Sequence, residues 1–403
     1  MAPTKNGFDL PRLARVTQHF SGYVAREQLA GWSCSVQRHG EMVWTAHHGM
    51  RDREAGLPVE DDTVFRIYSM TKPVTSVALM MLLEEGHVAL TDPLAHFIPE
   101  FANQQVYRAG SSDAPALEPV KTPITLAHLL THTAGLTYDF LHAHPVDAMY
   151  RDAGFTWGGH RTADLAEACA LWAALPLLFQ PGSEWNYSVA TDVLGRVIEV
   201  VSGQTLDAFF HDRIFAPLGL HDTAFHTTPE QRERLAALYV PDAAQHAVRD
   251  EAADRRAQRA PRLLSGGGGL YSTLPDYQRF CQMLLNRGEL DGTRLLGSRT
   301  VDRMLQNHLP GGRCLTEFGR PLFSETAYAG MGFGLGFSIV EHPADTLNLC
   351  SPGEAAWGGA ASTGFWVDPR EQLSVVFMTQ LLPSSTWPLR TELRNLVYQA
   401  LVD

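Results

Sequence analysis

Val64-Phe65-Arg66-Ile67-Tyr68-Ser69-Met70-Thr71-Lys72-Pro73-Val74 is the stretch on which the reading of this 403-residue chain turns. Val64 to Tyr68 is an apolar, strand-like run. After it, Val74, Val77, Ala78, Met81 and Leu82 fall at helical spacing until Glu84-Glu85-Gly86, where glycine supplies a left-handed cap. Pro73 has no N–H to give, and its ring would clash with a preceding turn, so it belongs in the first turn and the helix starts near Ser69 to Thr71. Ser69 and Lys72 then share one face. The hydroxyl sits at the positive end of the helix dipole, where free backbone N–H groups can stabilise an oxyanion, and the amine one turn away can take its proton. The plain alternative is a surface serine beside a solvated lysine. Against it, the chain holds only three lysines, Lys5, Lys72 and Lys121.

Strand signals lie at both ends of the chain. Near the start, Trp32, Cys34 and Val36 alternate with polar residues, and the pair His39-Gly40 leads to Met42-Val43-Trp44, which predicts a hairpin. Near the end, Gly332 to Val340, Gly364 to Val367 and Leu373 to Thr379 are short apolar runs, and Pro388 to Leu401 repeats leucine and valine at helical spacing. Between them the pattern is mostly helical. Thr125 caps a short helix ended by Ala134-Gly135; Val189, Val193, Val197 and Val200 mark another closed by Ser202-Gly203; Thr205 opens a further one that Pro217 stops. Hairpin spacings separate the strands, without βαβ crossovers, so an α+β fold is expected. It combines an antiparallel β-sheet flanked by helices, built from residues 1–68 and 260–403, with a discontinuous, mostly α-helical domain at 69–259, the active site lying between them.

Composition excludes several function classes. A formal net charge of -12 opposes nucleic-acid binding, and Arg255, Arg256, Arg259 and Arg262 follow Asp250, Glu251 and Asp254 as a solvated face. No membrane partner is expected, because no segment approaches the roughly 18 apolar residues of a span. The N-terminus carries no apolar leader core, so a cytoplasmic protein is expected. Cys34, Cys169, Cys281, Cys314 and Cys350 are odd in number and scattered, which reads as buried thiols and not a disulfide or zinc framework. No HExxH pattern occurs, and neither a metal nor a cofactor is expected. Gly266-Gly267-Gly268-Gly269 lacks the Lys-Ser/Thr of a phosphate loop and reads as a tight turn feeding Leu270 to Thr273. There is no G-x-S-x-G elbow either, so no histidine base is required.

Ser69-Met70-Thr71-Lys72-Pro73, together with Glu85 to Pro93 and Ile124 to Leu136, resembles the serine β-lactamases of class C and the penicillin-binding proteins, from about residue 20 to the C-terminus. Within that superfamily the sequence is most similar to family VIII carboxylesterases and statin-side-chain acyltransferases. The resemblance implies a β-lactamase/transpeptidase-like fold. It also implies a tyrosine near the serine and lysine, and Pro181-Gly182-Ser183-Glu184-Trp185-Asn186-Tyr187-Ser188 supplies Tyr187. An ammonium beside a phenol favours the phenolate, which can take the serine proton.

Two departures bear on substrate. Lactamases carry Tyr-x-Asn, whereas this chain has Tyr187-Ser188-Val189, which lacks the amide for an acylamino group. Where they carry Lys-Thr-Gly, it has Trp357-Gly358-Gly359-Ala360, which removes a cation suited to a substrate carboxylate. By resemblance, the backbone N–H groups of Ser69 and Ala360 form the oxyanion hole, and Trp357, Gly358, Gly359 and Val189 contact substrate. A second Trp157-Gly158-Gly159 reads as a loop of the helical domain. The expected reaction is hydrolysis of a small-molecule ester by Ser69, Lys72 and Tyr187. Acyl transfer to an alcohol is the alternative, followed by β-lactamase or D-amino-peptidase activity and then a non-catalytic binding protein. Oligomeric state is left open.

Overall fold

His39 and Gly40 both adopt positive φ, 53° and 78°, the backbone that a two-residue hairpin turn requires. They join Gly31–Arg38 (β1) to Glu41–Asp52 (β2), the first hairpin of a computed structural model that describes residues 4–320 and 328–403. Leu57–Pro58 (β3), Met331–Phe333 (β4), Ser338–Val340 (β5), Ala355–Gly358 (β6), Gly364–Asp368 (β7) and Leu373–Thr379 (β8) complete an eight-stranded antiparallel sheet in the order β4-β5-β6-β7-β8-β1-β2-β3. The two chain ends meet where β8 pairs with β1, Val375 opposite Val36 and Phe377 opposite Cys34.

Five helices frame the sheet and the site: Arg15–Ala25 (α1), Thr71–Glu84 (α2), Ala190–Ser202 (α3), Leu274–Leu285 (α4) and Leu389–Tyr398 (α5). On one face of β8, Leu373, Val375 and Phe377 join Val16 and Phe20 of α1 and Leu393 and Val397 of α5 in one apolar cluster. On the other face, Val376 and Met378 enter a larger core that continues through α2 and α3. Burial on both faces explains why this strand reads as a largely apolar run, interrupted only at Ser374 before Thr379. In β1 the polar Ser33, Ser35 and Arg38 are buried too, and Gln37 is half-buried. Ser35 donates to Gln278 Oε1 of α4 at 2.9 Å, and Gln278 reaches Gln37 and Ser374, so the alternation in sequence marks a polar seam packed under α4 and not a solvated face.

The expected strands and helices form with three adjustments. The run Gly332 to Val340 is not one strand but the hairpin of β4 and β5, since Gly334-Leu335-Gly336-Phe337 turns the chain back. The helix capped by Thr125 spans only Leu126–Leu130. Pro217 does not stop the helix that starts at Leu206. A wider turn at His211–Phe215, in which the Ala216 N–H donates to the His211 carbonyl, lets Pro217 enter the continuation Ala216–Leu218, which ends at Gly219. The arginines of 255–262 lie on and beyond the short helix Glu251–Ala257, with Arg255 and Arg256 about two-thirds exposed. All five cysteines are free thiols, four of them buried. Among the described residues no helix is long and apolar enough to cross a membrane.

Candidate active site

Ser69 lies in a 3-10 turn, Tyr68–Met70, between the short strand Val64–Arg66 and α2. That strand pairs with Tyr271–Thr273, which brings the four-glycine run directly under the start of α2. Tyr68 holds φ at +44°, a costly conformation for an aromatic residue, and it is fixed from several sides. Thr71 Oγ1 donates to the Tyr68 carbonyl at 2.6 Å and accepts the Leu270 N–H, while Tyr277 Oη holds the Met70 carbonyl at 2.8 Å. Pro73 is the third residue of α2, inside the first turn as its chemistry requires.

Lys72 is 1% exposed, and its Nζ lies 3.2 Å from Ser69 Oγ, 3.0 Å from Tyr138 Oη and 2.6 Å from the Gly267 carbonyl. Burial pushes the amine down to about 7, against the pull of the Asp192 carboxylate. A neutral amine remains fully bonded here. It donates to Gly267, which can only accept, and its lone pair can receive a proton from either hydroxyl. Tyr187 Oη lies 2.6 Å from Ser69 Oγ, and the Tyr187 ring centroid is 4.4 Å from Lys72 Nζ. Burial raises the phenol above its usual value, with the Ser69 contact opposing. Burial therefore favours the uncharged form of both groups, the amine and the phenol.

The segment carrying Tyr187 is tied back to the core. The Asn186 N–H donates to the His132 carbonyl at 3.0 Å and its side-chain amide to the Leu136 carbonyl at 3.0 Å. His132 Nδ1 meets Ser188 Oγ at 3.1 Å and its ring packs on Tyr187; burial pushes this imidazole well below its ordinary value, so it stays neutral.

Trp357, at the end of β6, packs 5.4 Å from the Tyr187 ring centroid. Gly359 comes so close to the segment before Ser69 that a Cβ there would fall 2.3 Å from the Ile67 carbonyl. This contact closes the loop carrying Ala360 onto the turn carrying Ser69. The N–H groups of Ser69 and Ala360 make no hydrogen bond within the described residues. Val189 is 1% exposed, it immediately precedes α3, and its side chain belongs to the same core cluster as Tyr187 and Trp357. Trp157 and Gly158 donate their N–H groups to Asp139, both at 2.7 Å, and the half-exposed Trp157 stacks on Phe140, which stacks in turn on Tyr138.

Three neighbours of Lys72 escaped the sequence reading. Tyr138 and the Gly267 carbonyl touch its amine, and buried Asp192 accepts the Gly267 N–H at 3.0 Å and the Ser265 hydroxyl. The glycine run carried the one available signal. A Cβ on Gly267 would lie 2.3 Å from Asp192 Oδ2 and 3.0 Å from Tyr138 Oη, so glycine is required there by close approach. Among the described residues no three His, Cys, Asp or Glu side chains converge as a metal site would need.

With this geometry in place, comparison with known proteins is specific. The family model described as Beta-lactamase matches residues 16–399. Esterase EstB of Burkholderia gladioli is 32% identical over 98% of both chains. Acyltransferase calJ of Penicillium decumbens is 30% identical over 81% of this chain and 78% of its own. Among solved structures, EstCE1, described as a hydrolase with promiscuous acyltransferase activity, superposes with a TM-score of 0.81 at 29% identity, covering 96% of this chain and 99% of its own.

Proposed function

We propose that this chain, which belongs to the β-lactamase family, is a serine carboxylesterase that hydrolyses short-to-medium acyl esters through an acyl-Ser69 intermediate. The observation that carries the reading is the contact of Ser69 Oγ with both Tyr187 Oη, at 2.6 Å, and Lys72 Nζ, at 3.2 Å.

The proton inventory closes on those three residues. Neutral Lys72 takes the Ser69 proton as Oγ attacks the ester carbonyl. The oxyanion rests on the N–H groups of Ser69 and Ala360. As the tetrahedral species collapses, Tyr187 gives its proton to the departing alkoxide, leaving a phenolate beside the Lys72 ammonium. In the second half Tyr187 takes a proton from the attacking water, and Lys72 returns its own to Ser69 as the acid leaves. The ammonium–phenolate pair expected from the sequence belongs, on this account, to the acyl-enzyme. Because the two groups are coupled, the pair titrates as a unit.

Trp357 beside Tyr187, with no lysine in Trp357 to Ala360, favours an apolar ester over a carboxylate-bearing lactam or peptide. Likeness to calJ and EstCE1 supports a second reading, transfer of the acyl group to an alcohol, which differs only in what meets the acyl-enzyme. The test is hydrolysis of p-nitrophenyl butyrate with and without added alcohols, alongside mass spectrometry after treatment with a phosphonate ester. Mass gain on Ser69 and loss of turnover in Ser69→Ala are expected. Wild-type-like turnover in that variant overturns the assignment, and the ratio of ester to acid products separates the two readings.

A further inference from the structure

Arg390, the second residue of α5, points its guanidinium at the loop that joins β6 to β7. Its Nε donates to the Thr363 carbonyl at 3.0 Å, and its Nη2 donates to the same oxygen at 2.8 Å and to the Gly359 carbonyl at 2.5 Å. The loop also bonds to itself: the Gly359 N–H donates to the Thr363 carbonyl at 2.9 Å, and the Ser362 N–H to the Gly359 carbonyl at 3.1 Å. Both ends of the loop are thus held by one planar cation. The fit is close, since a Cβ on Gly358 would lie 2.2 Å from Arg390 Cζ.

The Gly359 carbonyl belongs to the same peptide group as the Ala360 N–H. In a trans peptide the oxygen and the hydrogen point in opposite directions, so a donor gripping the oxygen from the α5 side aims the N–H the other way. A charged donor on the carbonyl also polarises the amide and strengthens its N–H as a donor.

We propose that Arg390 is a positioning residue for the reaction: through the Gly359 carbonyl it orients and polarises the Ala360 N–H that receives the oxyanion. The proposal rests on the esterase reading above, which supplies that oxyanion. It also accounts for a family position without lysine, because the cation arrives from α5 and spends these bonds on backbone carbonyls of the loop. Arginine is favoured over lysine because Nε and Nη2 grip the Thr363 carbonyl together while Nη2 also reaches the Gly359 carbonyl, whereas an ammonium is a point charge.

The test uses the full chain with Arg390→Met and Arg390→Lys, p-nitrophenyl butyrate as substrate and a butyl boronic acid as tetrahedral analogue. Removing an oxyanion donor outright costs about 10²–10³ in kcat, and losing its aim should cost somewhat less. R390M is therefore expected to lower kcat by about 10- to 100-fold with KM within about threefold, to weaken the boronic acid by a similar factor, and R390K to fall between. Unchanged kcat and boronate affinity in either variant overturns the proposal. So does a raised KM with intact kcat, which would make Arg390 a substrate contact, or loss of the circular dichroism of the folded state in both variants, which would make it a general stabiliser. Failure of the esterase reading is distinguishable: it appears in the wild type, as no turnover and no phosphonate on Ser69.

Discussion

The Gly267 carbonyl oxygen lies 2.6 Å from Lys72 Nζ, nearer than either hydroxyl that the amine touches. A backbone acceptor cannot be deleted by mutation, but it can be displaced. In Gly267→Ala the new Cβ would fall 2.3 Å from Asp192 Oδ2, so either the carboxylate or the loop must shift. Overpacking of this kind typically costs about 1–3 kcal/mol. We expect a melting temperature lowered by several degrees and kcat reduced at least tenfold, read by thermal unfolding and ester hydrolysis; a variant with native rates would detach Gly267 from the function of Lys72.

The pH profile should report the buried amine. Lys72 serves as a base only when neutral, and burial pushes it down to about 7, so kcat/KM should rise through pH 7 and level off above it. Below that point activity falls about tenfold per pH unit. Asp192 opposes the burial effect by favouring the ammonium. Asp192→Asn removes this charge, yet its remaining oxygen can still accept the Gly267 N–H and the Ser265 hydroxyl, since both reach Oδ1. The acid limb of that variant should move below 7. A limb that stays in place or climbs contradicts the assignment of the base.

Tyr187→Phe removes the phenol 2.6 Å from Ser69 Oγ while keeping the ring that packs on His132, Tyr138 and Trp357. The fold should be nearly unaffected, with kcat down by about 10²–10⁴, the usual worth of a positioned proton donor and acceptor. Because the same oxygen is assigned the proton of the attacking water, acyl-enzyme should persist and be visible by mass spectrometry. Equal loss with no trapped intermediate would confine Tyr187 to the first half of the reaction.

The parts legible in the sequence were those fixed by local chemistry. Pro73 set the start of α2 and hence the spacing of Ser69 and Lys72; His39-Gly40 announced a hairpin; the apolar terminal runs announced one sheet shared by both chain ends. What stayed hidden is long-range. Tyr138, Asp192 and Gly267 are brought to Lys72 by packing between segments up to 195 residues apart. The guanidinium of Arg390 is brought to the Gly359 loop in the same way, and no spacing rule connects them. Proton placement was hidden for a related reason, because burial, which moves Lys72 down and Tyr187 up, is a property of the assembled core.

Val189 offers a test of how far substrate range can be read from motif departures. The residue stands where lactamases carry the asparagine of Tyr-x-Asn, which suggests that restoring the amide should restore lactam recognition. Geometry argues otherwise. Val189 is 1% exposed, and its backbone, at φ -67° and ψ 7°, departs from the extended conformation from which a side chain caps a helix. Val189→Asn therefore buries an amide with no assured partner, at a cost of about 1–3 kcal/mol. It leaves Trp357 to Ala360 without the lysine a lactam carboxylate would meet. The variant should melt several degrees lower and gain no measurable turnover of a chromogenic cephalosporin. A large gain in that turnover, with stability retained, would mean that the amide reaches the cleft after all and that this one position governs the choice between ester and lactam.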